Sequence, residues 1–207
     1  MDDLWSTVAA ERGALAEDLA GLSAEQWKTR SLSQEWNVAQ VLAHMTSTAT
    51  LTPLTFFGNF AKAGFSFRPF ANAQIRKHLG PDREATLAAF VAVQHSTKSP
   101  PGPKASWLGE TIVHAEDIRR PLGISHTYDL GAVKHVADFY KGSNALIGTK
   151  SRIGGLALRA TDTDWSHGEG EEVSGPMLSL LLAMTGRRSG CGELTGPGVA
   201  TLESRSS

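Results

Sequence analysis

Cysteine is nearly missing: Cys191 is the single one in 207 residues. No disulfide can form within the chain, and a reduced, cytoplasmic setting is expected. Net charge is missing too. Lys plus Arg number 20 and Asp plus Glu 21, a formal charge of −1. Such a balance provides no broad field to draw the chain to nucleic acid or to an anionic membrane. No run of about 18 apolar residues occurs, so no segment is expected to cross a bilayer. The opening "MDDLWSTVAAERGALAEDL" lacks the basic-then-apolar layout of a secretory signal. There is no GxSxG elbow, P-loop, dinucleotide fingerprint or HExxH pair, so the common hydrolase, nucleotide-binding and zincin readings have no support.

What is present is helical periodicity. Leu4, Val8, Leu15, Leu19 and Leu22 recur at helix spacing, with Glu11, Arg12, Glu17 and Asp18 between them. Asp2 or Asp3 can cap this helix. Ser23 with Gln26, and Asn37 with Gln40, have capping-box spacing. The second box opens a helix with the stripe Val38, Val41, Leu42 and Met45, which Pro53 should kink or interrupt. Helices are also expected over "ANAQIRKHLG", "DREATLAAFVAVQ" and "SWLGETIVHAEDIRRPLG", the last stopped by Pro121 and Gly123. Phe56, Phe57, Phe60, Phe65 and Phe67 suit either a pocket wall or core. A helix capped by Asp129 follows, and then the texture changes. "GGLALRATDTDW" alternates like a strand, "HGEGEEVSG" is turn-rich, "GPMLSLLLAMTGR" is helical, and "GVATLES" reads as a last strand. The expectation is a mainly α chain: a four-helix bundle over residues 1–150 and a small α+β unit over 151–207.

The chemistry concentrates in "GETIVHAED". At about 100° per residue, Glu110 and His114 lie about 40° apart and Asp117 about 20° from Glu110. A carboxylate and an imidazole one turn apart can share a divalent ion, and Asp117 can take the other imidazole nitrogen. His44, beside the apolar stripe of its own helix, is the candidate third ligand. The competing readings are a solvated polar face for Glu110 and His114, and a neutral core histidine for His44. Cys191 reads as a bystander, having no basic neighbour to activate it.

"ERGALAEDLAGL", the "W…WNVAQVLAH" helix, "GETIVHAEDIRRPLG" and the C-terminal "ATDTDWSHGEGEEVSGPMLSLLLAMTGR" together resemble the mycothiol-dependent maleylpyruvate isomerase family. That resemblance implies a DinB-like four-helix bundle in which His44, Glu110 and His114 hold a metal, usually zinc, with nickel an alternative. It implies mycothiol or another small thiol as cosubstrate. It also implies a catalytic arginine from the C-terminal segment, matched by Arg187, with Arg188 adjacent. The function so implied is a metal-dependent, thiol-using isomerase or S-transferase acting on a small electrophile. A non-catalytic metal-binding or regulatory module of the same fold is the rival, and a small-molecule carrier the third reading. The partners expected are a small substrate and a thiol, with neither nucleic acid nor membrane.

Overall fold

The computed structural model describes residues 4–33, 35–145 and 147–206. In chain order come α1 (Leu4–Ala20), α2 (Ala24–Trp27), α3 (Val38–Thr48), α4 (Pro53–Lys62), α5 (Phe67–His78), α6 (Arg83–Val91) and α7 (Lys104–Leu122). Then follow α8 (Leu130–Lys141), α9 (Thr149–Arg152), β1 (Leu156–Ala160), β2 (Ser166–His167), β3 (Glu171–Gly175) and α10 (Met177–Met184). A 3-10 turn over Arg188–Glu193 and α11 (Val199–Ser204) complete the chain. Two compact units result, Met1–His126 and Thr127–Ser207. The division falls earlier than the expected boundary at 150, because α8 packs on α10 and belongs with the second unit.

In the first unit α1, α3, α6 and α7 make the bundle. Its core gathers Leu15, Leu19, Val41, Leu42, Met45, Phe90 and Ile118. Both capping boxes form, at Ser23 and at Asn37. The proposed caps Asp2 and Asp3 lie outside the described residues. The interruption expected at Pro53 is present as a break: α3 already ends at Thr48, and Pro53 kinks no helix. It is instead the first residue of a new helix, where its missing N–H leaves nothing unsatisfied. The α4–α5 hairpin gathers the phenylalanines in a cluster of edge-to-face, tilted and stacked rings, with Phe56 and Phe60 half-buried. Phe57, Phe65 and Phe67 are exposed, while Phe70 is buried.

The charged residues between the apolar positions of α1 divide: Glu17 is exposed and Asp18 half-buried, but the other two are not. Glu11 and Arg12 are buried. Arg12 satisfies its charge by donating to the carbonyls of Val93 and Ser96, and Glu11 pairs with His126 at 2.8 Å.

Pro121 does not stop α7 either; it sits in the last turn, and Gly123, at φ 68°, makes the left-handed cap. Having no N–H, Pro121 cannot bond the carbonyl four residues back. That carbonyl, of Asp117, accepts from the Leu32 amide at 3.0 Å instead. The proline thereby ties the 29–37 loop to the middle of α7.

The second unit is a three-stranded sheet, order β2-β1-β3, with β2 antiparallel and β3 parallel to β1. Leu158 faces His167 on one side and Val173 on the other. The chain crosses from β2 to β3 through Gly168 and Gly170, both at positive φ. A Cβ on either would meet the carbonyl oxygens of Leu156 or Gly155 at about 2 Å, so only glycine fits. The segment "GVATLES", expected as a strand, is α11. Its one fully buried side chain is Leu202, so it has no alternating face to bury. None of the described helices is long and apolar enough to cross a membrane.

Candidate metal centre

Three donors converge from two helices of the first unit. His44 comes from the last turns of α3, and Glu110 and His114 from consecutive turns of α7. One ligand atom from each lies within 4.8 Å of the others, among the described residues. His44 Nε2 and Glu110 Oε1 are 3.9 Å apart. The two imidazoles meet edge to face, with centroids 4.9 Å apart. Zinc bonded at about 2.0–2.2 Å in a tetrahedron sets neighbouring donors about 3.4 Å apart, so small side-chain rotations would close this set around an ion.

Each donor is held. His114 Nδ1 donates to Asp117 Oδ2 at 2.8 Å, which leaves Nε2 as the lone-pair nitrogen. Asp117 is fully buried, so this bond is shielded from water. Glu110 Oε1 accepts from the Thr48 hydroxyl at 2.8 Å, one turn beyond His44 on α3. Trp36 closes one side, its ring 4.9 Å from that of His44 and 6.4 Å from that of His114.

The electrostatics suit a cation. Burial pushes the Glu110 carboxyl above its usual range, opposed by His114 and Arg12. Burial also lowers the Arg12 guanidinium, and the Glu110 charge partly restores it. His44 falls to about 3, mainly through burial and then through His114, with Asp117 opposing. His44 is therefore a neutral imidazole, the form that binds metal.

A consequence follows for the metal-free protein. Unfolded His44 protonates near 6.5, whereas folded His44 resists protonation down to about 3. Between those values the unfolded state binds the extra proton, so stability falls as pH falls. The contribution of His44 should decline by about 1.4 kcal/mol per pH unit across that window. Glu110, raised in the fold, works in the opposite sense. The comparison is therefore urea unfolding of wild type against His44→Asn from pH 7 to pH 4. A pH-independent difference would contradict the buried, neutral assignment.

Sequence reading missed three participants. Arg12 carries no signal in its spacing, and its burial beside Glu110 comes from the packing of α1. Thr48 is visible in retrospect as four residues after His44, the same face of α3. Trp36 offered no signal, since tryptophans are usually core. Arg187 lies in the second unit just after α10, where it donates to the Thr185 carbonyl at 3.1 Å. Its neighbour Arg188 is exposed and pairs with Glu203 at 2.7 Å.

A helical bundle that brings a half-buried His, Glu, His cluster together from facing helices has the arrangement with which bundles can hold a metal ion. Residues 8–119 match the family described as mycothiol maleylpyruvate isomerase N-terminal domain, and the chain belongs to that family. Two crystal structures of the mycothiol-dependent maleylpyruvate isomerase, one of them a mutant, are similar to it. They have TM-scores of 0.62 and 0.59 at 14% and 13% identity, covering 94% of this chain and 91% of theirs. At that identity the likeness establishes the fold. No curated protein matches the chain.

Proposed function

We propose that this chain is a metal-dependent enzyme of the cytoplasm that uses a small external thiol, mycothiol or a relative, either to isomerise a small electrophile of the maleylpyruvate type or to transfer the thiol onto it. The observation that carries the reading is the His44, Glu110, His114 cluster, with Asp117 already fixing the tautomer of His114. A divalent ion held there, zinc or nickel, supplies positive charge that favours thiolate over thiol and polarises a substrate oxygen.

The protein's own residues do the rest. His44 stays neutral, Asp117 orients His114, Thr48 holds Glu110, and Trp36 walls off water on one side. Arg187 is the candidate anchor for a substrate carboxylate by paired hydrogen bonds. In the isomerisation, the thiol sulfur forms a bond to one alkene carbon as the π pair moves toward the carbonyl. The resulting single bond rotates. The carbon–sulfur bond then breaks, restoring the alkene and the thiol. If instead the proton released by the thiol is delivered to the carbon beside the carbonyl, the enolate is quenched, the carbon–sulfur bond is kept, and the same addition is an S-transfer. An external thiol is required because Cys191 is buried and its thiol is pushed up, chiefly by burial and then by Glu203.

A structural or regulatory zinc site would normally close with four protein donors. Asp117, the nearest candidate for a fourth, is spent on His114 Nδ1, which favours an open position and hence catalysis. The test is thiol-dependent loss of maleylpyruvate, followed before and after chelation. Activity should vanish with the metal and return with added zinc. Equal activity in the chelated protein, with any thiol, sinks the proposal.

A further inference from the structure

The helix α3, which carries His44, also packs against α5. On α3, Gln40 is one turn before His44. On α5, Arg68, Asn72 and Arg76 recur every fourth residue and share one face. Between them opens a cavity of about 520 Å³, lined also by Arg30, Glu35, Trp36 and Ile75. That is the size range of small-molecule sites, about 300–1,000 Å³. Three guanidinium groups line it against one carboxylate, Glu35, which pairs with Arg68. From Trp36 to Pro81 the sequence contains no Asp or Glu, so α3, α4 and α5 bring no other acid to this wall. Trp36 is common to both places. Its Nε1 donates to Asn72 Oδ1 at 3.4 Å, and its ring packs on His44.

We infer that this cavity is an oxyanion subsite that holds a carboxylate or phosphate of a small ligand beside the metal centre. The donors needed are present: Arg30 and Arg76 for charge-assisted hydrogen bonds, with Asn72 and Gln40 as amide neighbours. Glu35 moderates the site by occupying Arg68. Trp36 lines the cavity on one side and contacts the His44 ring on the other, with ring centroids 4.9 Å apart, so it links a ligand anchored here to the metal centre. The assignment rests on the metal centre being the place of reaction, but the anion site itself needs no metal.

The experiment titrates the purified protein with maleate and, separately, inorganic phosphate, read by Trp fluorescence and calorimetry. Saturable one-to-one binding of at least one anion is expected, and the tighter of the two identifies the source. Arg30→Gln with Arg76→Gln should weaken it about ten-fold or more, while Lys28→Gln, which is outside the cavity, should not. Glu35→Gln should tighten it, because it frees Arg68 and removes the one opposing charge. His114→Ala should leave affinity unchanged. No binding by wild type, wild-type affinity in the double arginine variant, or loss of binding in folded His114→Ala would each overturn the subsite. Anion binding by a protein that takes up no metal would keep the subsite and remove the proposed reaction, whereas metal uptake without anion binding would do the reverse.

Discussion

His114→Ala is expected to leave the protein folded and nearly free of metal. The wild type, dialysed against trace zinc, should retain about one ion per chain, and the variant a small fraction of that. The reasoning is geometric. Three donors within 4.8 Å of one another become two, and the lost donor is the one whose orientation is fixed in advance by a buried carboxylate. Asp117→Asn keeps all three donors but removes that fixing charge, so its affinity should fall less, by about 10- to 100-fold. The ordering wild type, Asp117→Asn, His114→Ala is the discriminating result. Elemental analysis gives the stoichiometry, competition with a chelating dye gives the affinity, and far-UV circular dichroism checks folding. Full zinc occupancy in His114→Ala would mean that the ion sits elsewhere.

The second large effect is on stability. Arg119 is fully buried on α7, and its Nε donates to Asp18 on α1 at 2.7 Å. Its charge also reaches Glu11, lowering that carboxyl against the upward push of burial. Arg119→Ala leaves these acids facing a void, and removing one member of a buried pair costs about 3–5 kcal/mol. That is a large share of a typical total of about 5–15 kcal/mol. Urea unfolding should show a midpoint shift of that size with an unchanged slope. Replacing Arg119 by Met and Asp18 by Leu together should cost much less, because a well-packed apolar pair also satisfies the site. A loss under about 1 kcal/mol in Arg119→Ala would show that the pair is not structural.

Local chemistry was legible in the sequence where neighbours in the chain decide the outcome. The Asn37–Gln40 and Ser23–Gln26 boxes are i, i+3 bonds, so spacing alone reveals them. The same holds for Glu110, His114 and Asp117, which lie on consecutive turns of one helix. What spacing cannot reveal is burial imposed by other elements. Arg12 lies between apolar positions of α1, and its burial follows only from the packing of α1 against α6 and α7. "GVATLES" has the β-branched look of a strand, but only Leu202 has a buried place to go, and the segment coils. Pro121 carries a stop signal, yet the Leu32 amide takes the carbonyl that the proline leaves unbonded, and the helix survives it. The arginine-lined cavity draws on Arg30, Arg68 and Arg76, residues from two elements that no short motif connects.

Asp117 is attached twice. Its carboxylate steers His114, and its carbonyl, left over by Pro121, holds the loop that carries Trp36. The metal donor and the indole wall therefore share one datum. If α7 slides or tilts, ligand and wall are carried along together, and the spacing between them is conserved even as both move. Tolerance in this site is thus built into a difference between two positions rather than into either position by itself.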